Sequence, residues 1–228
     1  MIFRSVSMAV IATTAALWLT LPASAAVPAK ASPTRAVSSQ ATDGAKSPPL
    51  TPAQIVARAD AWFNSAVTME CDFVQIGPDG RRTKGRLYVQ RPGRLRFEYA
   101  SPATLQIIAD GTSVAIRDRK LATQDVYFIW QTPLKFLLDD PIDLNRDTKV
   151  VAVQSDPQSV SIFLEDKTTF EGTSHIRLFF DPKTFALKQW TIIDPQGYQT
   201  LVSLFHMNLK AKPDPRLFHI STTEHDDQ

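Results

Sequence analysis

From residue 67 to residue 209 the apolar positions recur mostly every second residue, the repeat of a strand with one buried face. Val67, Met69, Cys71 and Phe73 alternate with Thr68, Glu70 and Asp72, and the rhythm returns over 82–91, 94–99, 104–109, 112–117 and 123–129. It resumes over 149–154, 159–165, 175–180, 186–193 and 200–209. Turn chemistry separates these runs, at Gly77-Pro78-Asp79-Gly80, Pro92-Gly93, Asp110-Gly111, Asp156-Pro157, Asp181-Pro182 and 194–197. Two segments carry a helical signature instead. Thr51-Pro52-Ala53-Gln54 combines an N-cap threonine, a first-turn proline and a capping-box glutamine, and Ile55, Ala59, Trp62 and Phe63 then share one stripe. Thr132-Pro133-Leu134 opens a shorter helix over 133–138, with Leu134, Leu137 and Leu138 on its face, Phe136 beside them and Pro141 beyond its end.

These elements predict an α+β fold, a single curved antiparallel sheet of ten or eleven strands closed by two short helices. Two short helices cover such a sheet poorly, so its inner face is either a hollow or a core filled by large side chains. Periodicity alone favours the filled core, because the chain holds 13 Phe and 4 Trp.

The ends of the chain set its organisation. Arg4, the apolar stretch 8–21 and Ala23-Ser24-Ala25 form a secretory signal, so residues 1–25 are expected to be cleaved and the protein to reside in the periplasm. No cysteine stands directly after the cleavage site, so the chain is not expected to be acylated itself. Residues 26–50 contain 14 Ala, Pro or Ser and no aromatic residue, the composition of a disordered linker. Residues 51–228 remain for one folded domain.

Charge and reactive residues then narrow the function classes. Without Arg4 the chain carries 24 basic and 23 acidic residues, a balance that offers no global field to nucleic acid. Cys71 stands alone, and its place in an alternating strand reads as a small buried apolar residue. His175, His206, His219 and His225 lie on separate segments without metal-ligand spacing, and no G-x-S-x-G elbow occurs. No enzymatic activity, metal or cofactor is expected, and the protein is expected to be a monomer.

One segment carries more information. Between 81 and 96 there are seven cations and no acid, and Arg82, Lys84 and Arg86 alternate on the strand face opposite Leu87 and Val89. That face is either plainly solvated or a docking surface for acidic groups on a partner. By the same parity Arg91 shares the side of Leu87 and Val89. It either points to water where Pro92 ends the strand or turns inward, where its donors would match orphan carbonyls at helix ends and latch a helical lid.

The run Gly85-x-Leu87-x-Val89-x-Arg91-Pro92-Gly93-Arg94-Leu95-Arg96-Phe97-Glu98-Tyr99, followed by Pro102, Ala109-Asp110-Gly111 and Thr132-Pro133-Leu134, resembles LolA, the family of periplasmic lipoprotein carriers. The resemblance extends from about Thr51 to Ile220. It implies an incomplete antiparallel barrel lidded by helices, with acyl chains of lipoproteins in the hollow. It also implies an inner-membrane ABC-type releasing complex as donor and an outer-membrane acceptor. On that reading Arg91 is the lid latch. Leu87, Val89, Leu95, Phe97, Tyr99 and Ile107 line the hollow from the sheet, and Trp62, Phe63, Leu134, Leu137 and Leu138 line it from the helices. Two departures stand out: Arg117-Asp118-Arg119-Lys120-Leu121 replaces the family's commoner tyrosine-aspartate-proline loop, and little chain follows Phe218-His219-Ile220. A periplasmic lipid or lipoprotein sensor built on the same half-barrel is the alternative function.

Overall fold

The computed structural model describes residues 49–170 and 172–221. The expected signal peptide, all but the last two residues of the expected linker, and the tail from 222 lie outside the described residues. Of the linker positions that are described, Leu50 packs partly buried against the core.

Helix α1 (Pro52–Ser65) starts where its caps place it. Thr51 accepts from the Gln54 amide at 3.3 Å, and the Gln54 side chain accepts from the Thr51 amide at 2.9 Å, satisfying two orphan donors of the first turn. Its buried stripe is the expected one with Val56 added.

Among the described residues eleven strands follow. The first six are β1 (Thr68–Ile76), β2 (Arg82–Gln90), β3 (Arg94–Tyr99), β4 (Leu105–Asp110), β5 (Ser113–Asp118) and β6 (Thr123–Phe128). The second group is β7 (Lys149–Ser155), β8 (Val160–Asp166), β9 (Ser174–Phe180), β10 (Leu187–Ile193) and β11 (Gln199–Asn208). Each group is an antiparallel meander, and pairing of β1 with β11 joins them in the order β6-β5-β4-β3-β2-β1-β11-β10-β9-β8-β7. Register shifts at Glu70/Asp72, Val150/Ala152 and Leu187/Gln189 are bulges of the kind that bend a sheet. β6 and β7 are therefore the two free edges of an incomplete barrel, although they are neighbours in sequence.

That topology dictates what covers the sheet. The chain leaves one edge at Phe128 and must reach the opposite edge at Lys149, so the connection crosses the inner face. It does so through a 3-10 turn at Ile129–Gln131, helix α2 (Lys135–Leu138) and helix α3 (Leu144–Asp147). The second helix is shorter than expected because the Thr132 hydroxyl closes the preceding turn, donating to the Ile129 carbonyl at 2.8 Å. α3 was not expected, yet its signal is present in Asp143, whose carboxylate accepts from the amides of Asn145 and Arg146.

Candidate functional site

Register builds the inner face in rows. Met69 faces Val89, Val89 faces Leu95, Leu95 faces Ala109 and Ala109 faces Val114. In the next row Cys71, Leu87, Phe97, Ile107 and Ile116 are successive partners. Beyond them lie Phe73, Gly85 and Tyr99, and here glycine is obligatory. A Cβ on Gly85 would sit 2.0 Å from the Glu98 carbonyl oxygen and 2.9 Å from the Phe73 ring, which lies 5.1 Å from that of Tyr99.

The expected lining residues all meet on this face. Leu87, Val89, Leu95, Phe97, Tyr99, Trp62, Phe63, Leu137 and Leu138 belong to the buried core, and Ile107 and Leu134 pack against it partly exposed. Sequence reasoning passed over Trp190, Phe180 and Phe136, all of which are fully buried. Strand parity marks Phe180, the bulge at Leu187/Gln189 puts Trp190 out of phase with Leu187, and Phe136 lies beside the apolar stripe of its helix.

The face is filled in this structure. Edge-on aromatic contacts run from helix to sheet: Trp62 to Phe63 at 5.3 Å, Phe63 to Phe136 at 6.4 Å, Phe136 to Trp190 at 5.8 Å, and Trp190 to Phe97 at 6.4 Å. Side chains of α1 and α2 thus occupy the space that a ligand in a hollow would need. Cys71 sits in this packing, and burial pushes its thiol up to about 12.

Polar bonds fix the covering segment at three places. Asn64 of α1 donates to the Ile142 carbonyl at 2.8 Å and accepts from the Ile142 amide at 2.9 Å, while Asp60 accepts from the Leu144 amide at 3.1 Å. Burial raises the pKa of Asp60, the Leu144 bond opposing it. The second place is the β2–β3 turn. Arg91 is only 5% exposed; its guanidinium donates to the carbonyls of Phe63 and Asp139, the latter at 3.1 Å, and to the Asn64 side chain at 3.4 Å. The Gly93 amide adds a bond to the Leu138 carbonyl at 2.9 Å. The turn therefore satisfies the C-terminal carbonyls of two helices at once. Desolvation lowers the pKa of Arg91, though a guanidinium stays charged throughout the working range.

The third place gave no sequence signal. Lys135, at the start of α2, pairs with Asp166, at the end of β8, at 2.9 Å, with side chains 9% and 1% exposed. The Thr168 hydroxyl accepts from Lys135 at 2.6 Å and donates to Asp166 at 2.8 Å. The neighbouring Phe170 amide donates to the Gln131 carbonyl at 2.7 Å.

The outer face has its own polar features. Arg82, Lys84 and Arg86 are exposed as expected, but Arg86 faces Glu70 at 3.1 Å and Asp72 at 3.9 Å. Arg82 and Lys84 instead line a groove of about 860 Å³ with Arg81, Thr83, Ser101, Pro102 and Lys120. Arg96 is covered, donating to the Leu217 carbonyl at 3.3 Å from the 3-10 turn Pro215–Phe218 that lies on β3 and β4. Among the described residues no group of His, Cys, Asp and Glu could hold a metal ion, and no helix is long and apolar enough to cross a membrane.

Known proteins resemble this chain in sequence. The family profile described as "Outer membrane lipoprotein carrier protein LolA" matches residues 64–221. An outer-membrane lipoprotein carrier protein of Legionella pneumophila strain Lens is 28% identical over 167 residues, covering 70% of this chain and 81% of that protein. The carrier protein of Chromobacterium violaceum is 37% identical over 73 residues, covering 31% of this chain and 35% of that protein, so this match spans about a third of its relative. Among solved structures, a LolA superfamily protein from Nitrosomonas europaea superposes with a TM-score of 0.43 at 11% identity, over 75% of this chain and 99% of that one. With the family profile spanning the lidded sheet from the end of α1 to the C-terminal turn, this chain belongs to the outer membrane lipoprotein carrier family LolA.

Proposed function

We propose that this protein is a periplasmic carrier that takes the acyl chains of lipoproteins onto the inner face of its sheet and delivers them to the outer membrane. The observation that carries this reading is an apolar sheet face of twenty buried residues whose cover is bound to it by a small set of polar contacts. Such a cover can leave as a unit and expose a contiguous acyl-sized surface.

Magnitudes support exchange between cover and cargo. Burying one acyl methylene is worth about 0.8 kcal/mol. Three chains of about 16 carbons, fully buried, would give on the order of 35–40 kcal/mol, beyond the practical ceiling near 18–21. Cargo must therefore bind with a large opposing cost. Displacing Phe63, Phe136, Leu137 and Leu138 from the face provides one, because the closed empty state competes with the loaded state. Arg91 strengthens that competitor: its donors and the carbonyls it satisfies must find other partners when the cover leaves. In this reading Arg91 is the lid latch that favours release.

The outer groove bearing Arg82, Lys84 and Lys120 is the docking surface of the proposal, with Arg86 offset by its acidic neighbours. The donor is an inner-membrane releasing complex of the ABC type and the acceptor lies in the outer membrane. The test is to incubate the purified protein with spheroplasts and assay acylated lipoproteins in the soluble fraction. Lipoproteins appearing in stoichiometric complex with the protein support the carrier; failure to solubilise any removes it.

A further inference from the structure

We propose that Lys135 and Asp166 form a second clasp, which positions α2 over the inner face and must break before the face can open. The inference rests on the lid reading above and assigns to it a pair of residues at the end of α2 opposite Arg91.

The pair is unusual in where it sits. α2 is otherwise apolar, with Phe136, Leu137 and Leu138 fully buried, yet its first residue is a lysine removed from water. Two charges taken out of water recover their hydration only through near-ideal geometry, so a buried pair is a poor source of stability compared with packed apolar groups. What it adds is position, because one register alone brings Nζ to Oδ1 and the Thr168 hydroxyl together. The second oxygen of Asp166 has no partner among the described residues, so removing the lysine would leave a buried carboxylate with no countercharge.

The consequence for cargo follows from chemistry. An acyl chain can replace every apolar contact that Phe136, Leu137 and Leu138 make with the face, but it offers nothing to an ammonium or a carboxylate. Only water can take over from the pair, which requires the N-terminal end of α2 to lift. The clasp therefore opposes partial entry of a chain beneath a closed lid, and Arg91 does the same at the other end.

Cys71 supplies the readout. It is the only cysteine, it is 2% exposed on the covered face, and its raised pKa keeps it protonated while closed. Its labelling by a water-soluble disulfide reagent at neutral pH measures how often the face opens. Lys135→Met and Asp166→Asn are each expected to raise the labelling rate about tenfold or more, corresponding to a bias of about 1.4 kcal/mol. The increase should depend weakly on low concentrations of urea, since a lid exposes less surface than unfolding does. Lys135→Arg should label close to the parent rate. The clasp is overturned if both variants label at the parent rate, or if their labelling climbs with urea along the slope of global unfolding. Arg91→Leu separates the two levels of inference. If it accelerates labelling while Lys135→Met does not, the clasp alone fails; if neither does, the lid reading fails with it.

Discussion

The two ends of α2 are held over the same apolar face by opposite kinds of chemistry. At the C-terminal end a buried guanidinium meets neutral acceptors, the carbonyls of Phe63 and Asp139 and the Asn64 amide oxygen. At the N-terminal end an ammonium meets a carboxylate, with the Thr168 hydroxyl bonded to both. Removing the cation from the first site leaves carbonyls that water or a shifted helix end can satisfy. Removing it from the second leaves a buried anion. The ends should therefore differ in cost, although only about 6 Å of helix separates them.

The sharpest way to expose the difference is Lys135→Met, which should lower the unfolding free energy by about 3–5 kcal/mol, read from the urea midpoint. Adding Asp166→Leu to the same chain should recover most of that loss, because it removes the stranded charge; a double variant no better than the single one would show that the pair is not coupled. Arg91→Leu should cost less, about 1–3 kcal/mol for polar groups left without partners. Its larger effect should be functional, retaining cargo binding while slowing transfer to acceptor membranes. The smallest effect is expected far from the lid. Arg82→Ala with Lys84→Ala should shift stability by no more than about 0.5 kcal/mol. The same change should weaken whatever salt-sensitive docking the outer groove provides.

The same contrast explains how much could be read before the fold was known. Alternation located the strands, since residues 82–91 and 94–99 show their buried positions directly, and strand parity put Arg91 on the side of Leu87 and Val89. The choice between water and latch depended on where two helix ends lie, which local pattern does not encode. Lys135 was further out of reach. A lysine in a one-turn helix reads as a solvent-facing residue, and its partner belongs to the end of a strand 31 positions away, brought near only because the connection between β6 and β7 must cross the barrel. Periodicity favoured a filled inner face and the family resemblance implied a hollow. The closed structure contains the first, and its filling belongs largely to the segments a cargo would displace. Arg86 shows the converse: a run of seven cations looks uniformly basic because Asp72, opposite Arg86 in register, and Glu70, opposite Tyr88, lie on another strand.

The most direct test of acyl binding on this face uses Trp190, 1% exposed beneath Phe136, against Trp130, 60% exposed in the 3-10 turn that precedes α2. Titrating the protein with a lipopeptide carrying brominated acyl chains should quench tryptophan fluorescence, and Trp190→Phe should remove a large part of that quenching while Trp130→Phe leaves it nearly intact. Quenching that survives Trp190→Phe and disappears with Trp130→Phe would place the chains outside the barrel and contradict the account.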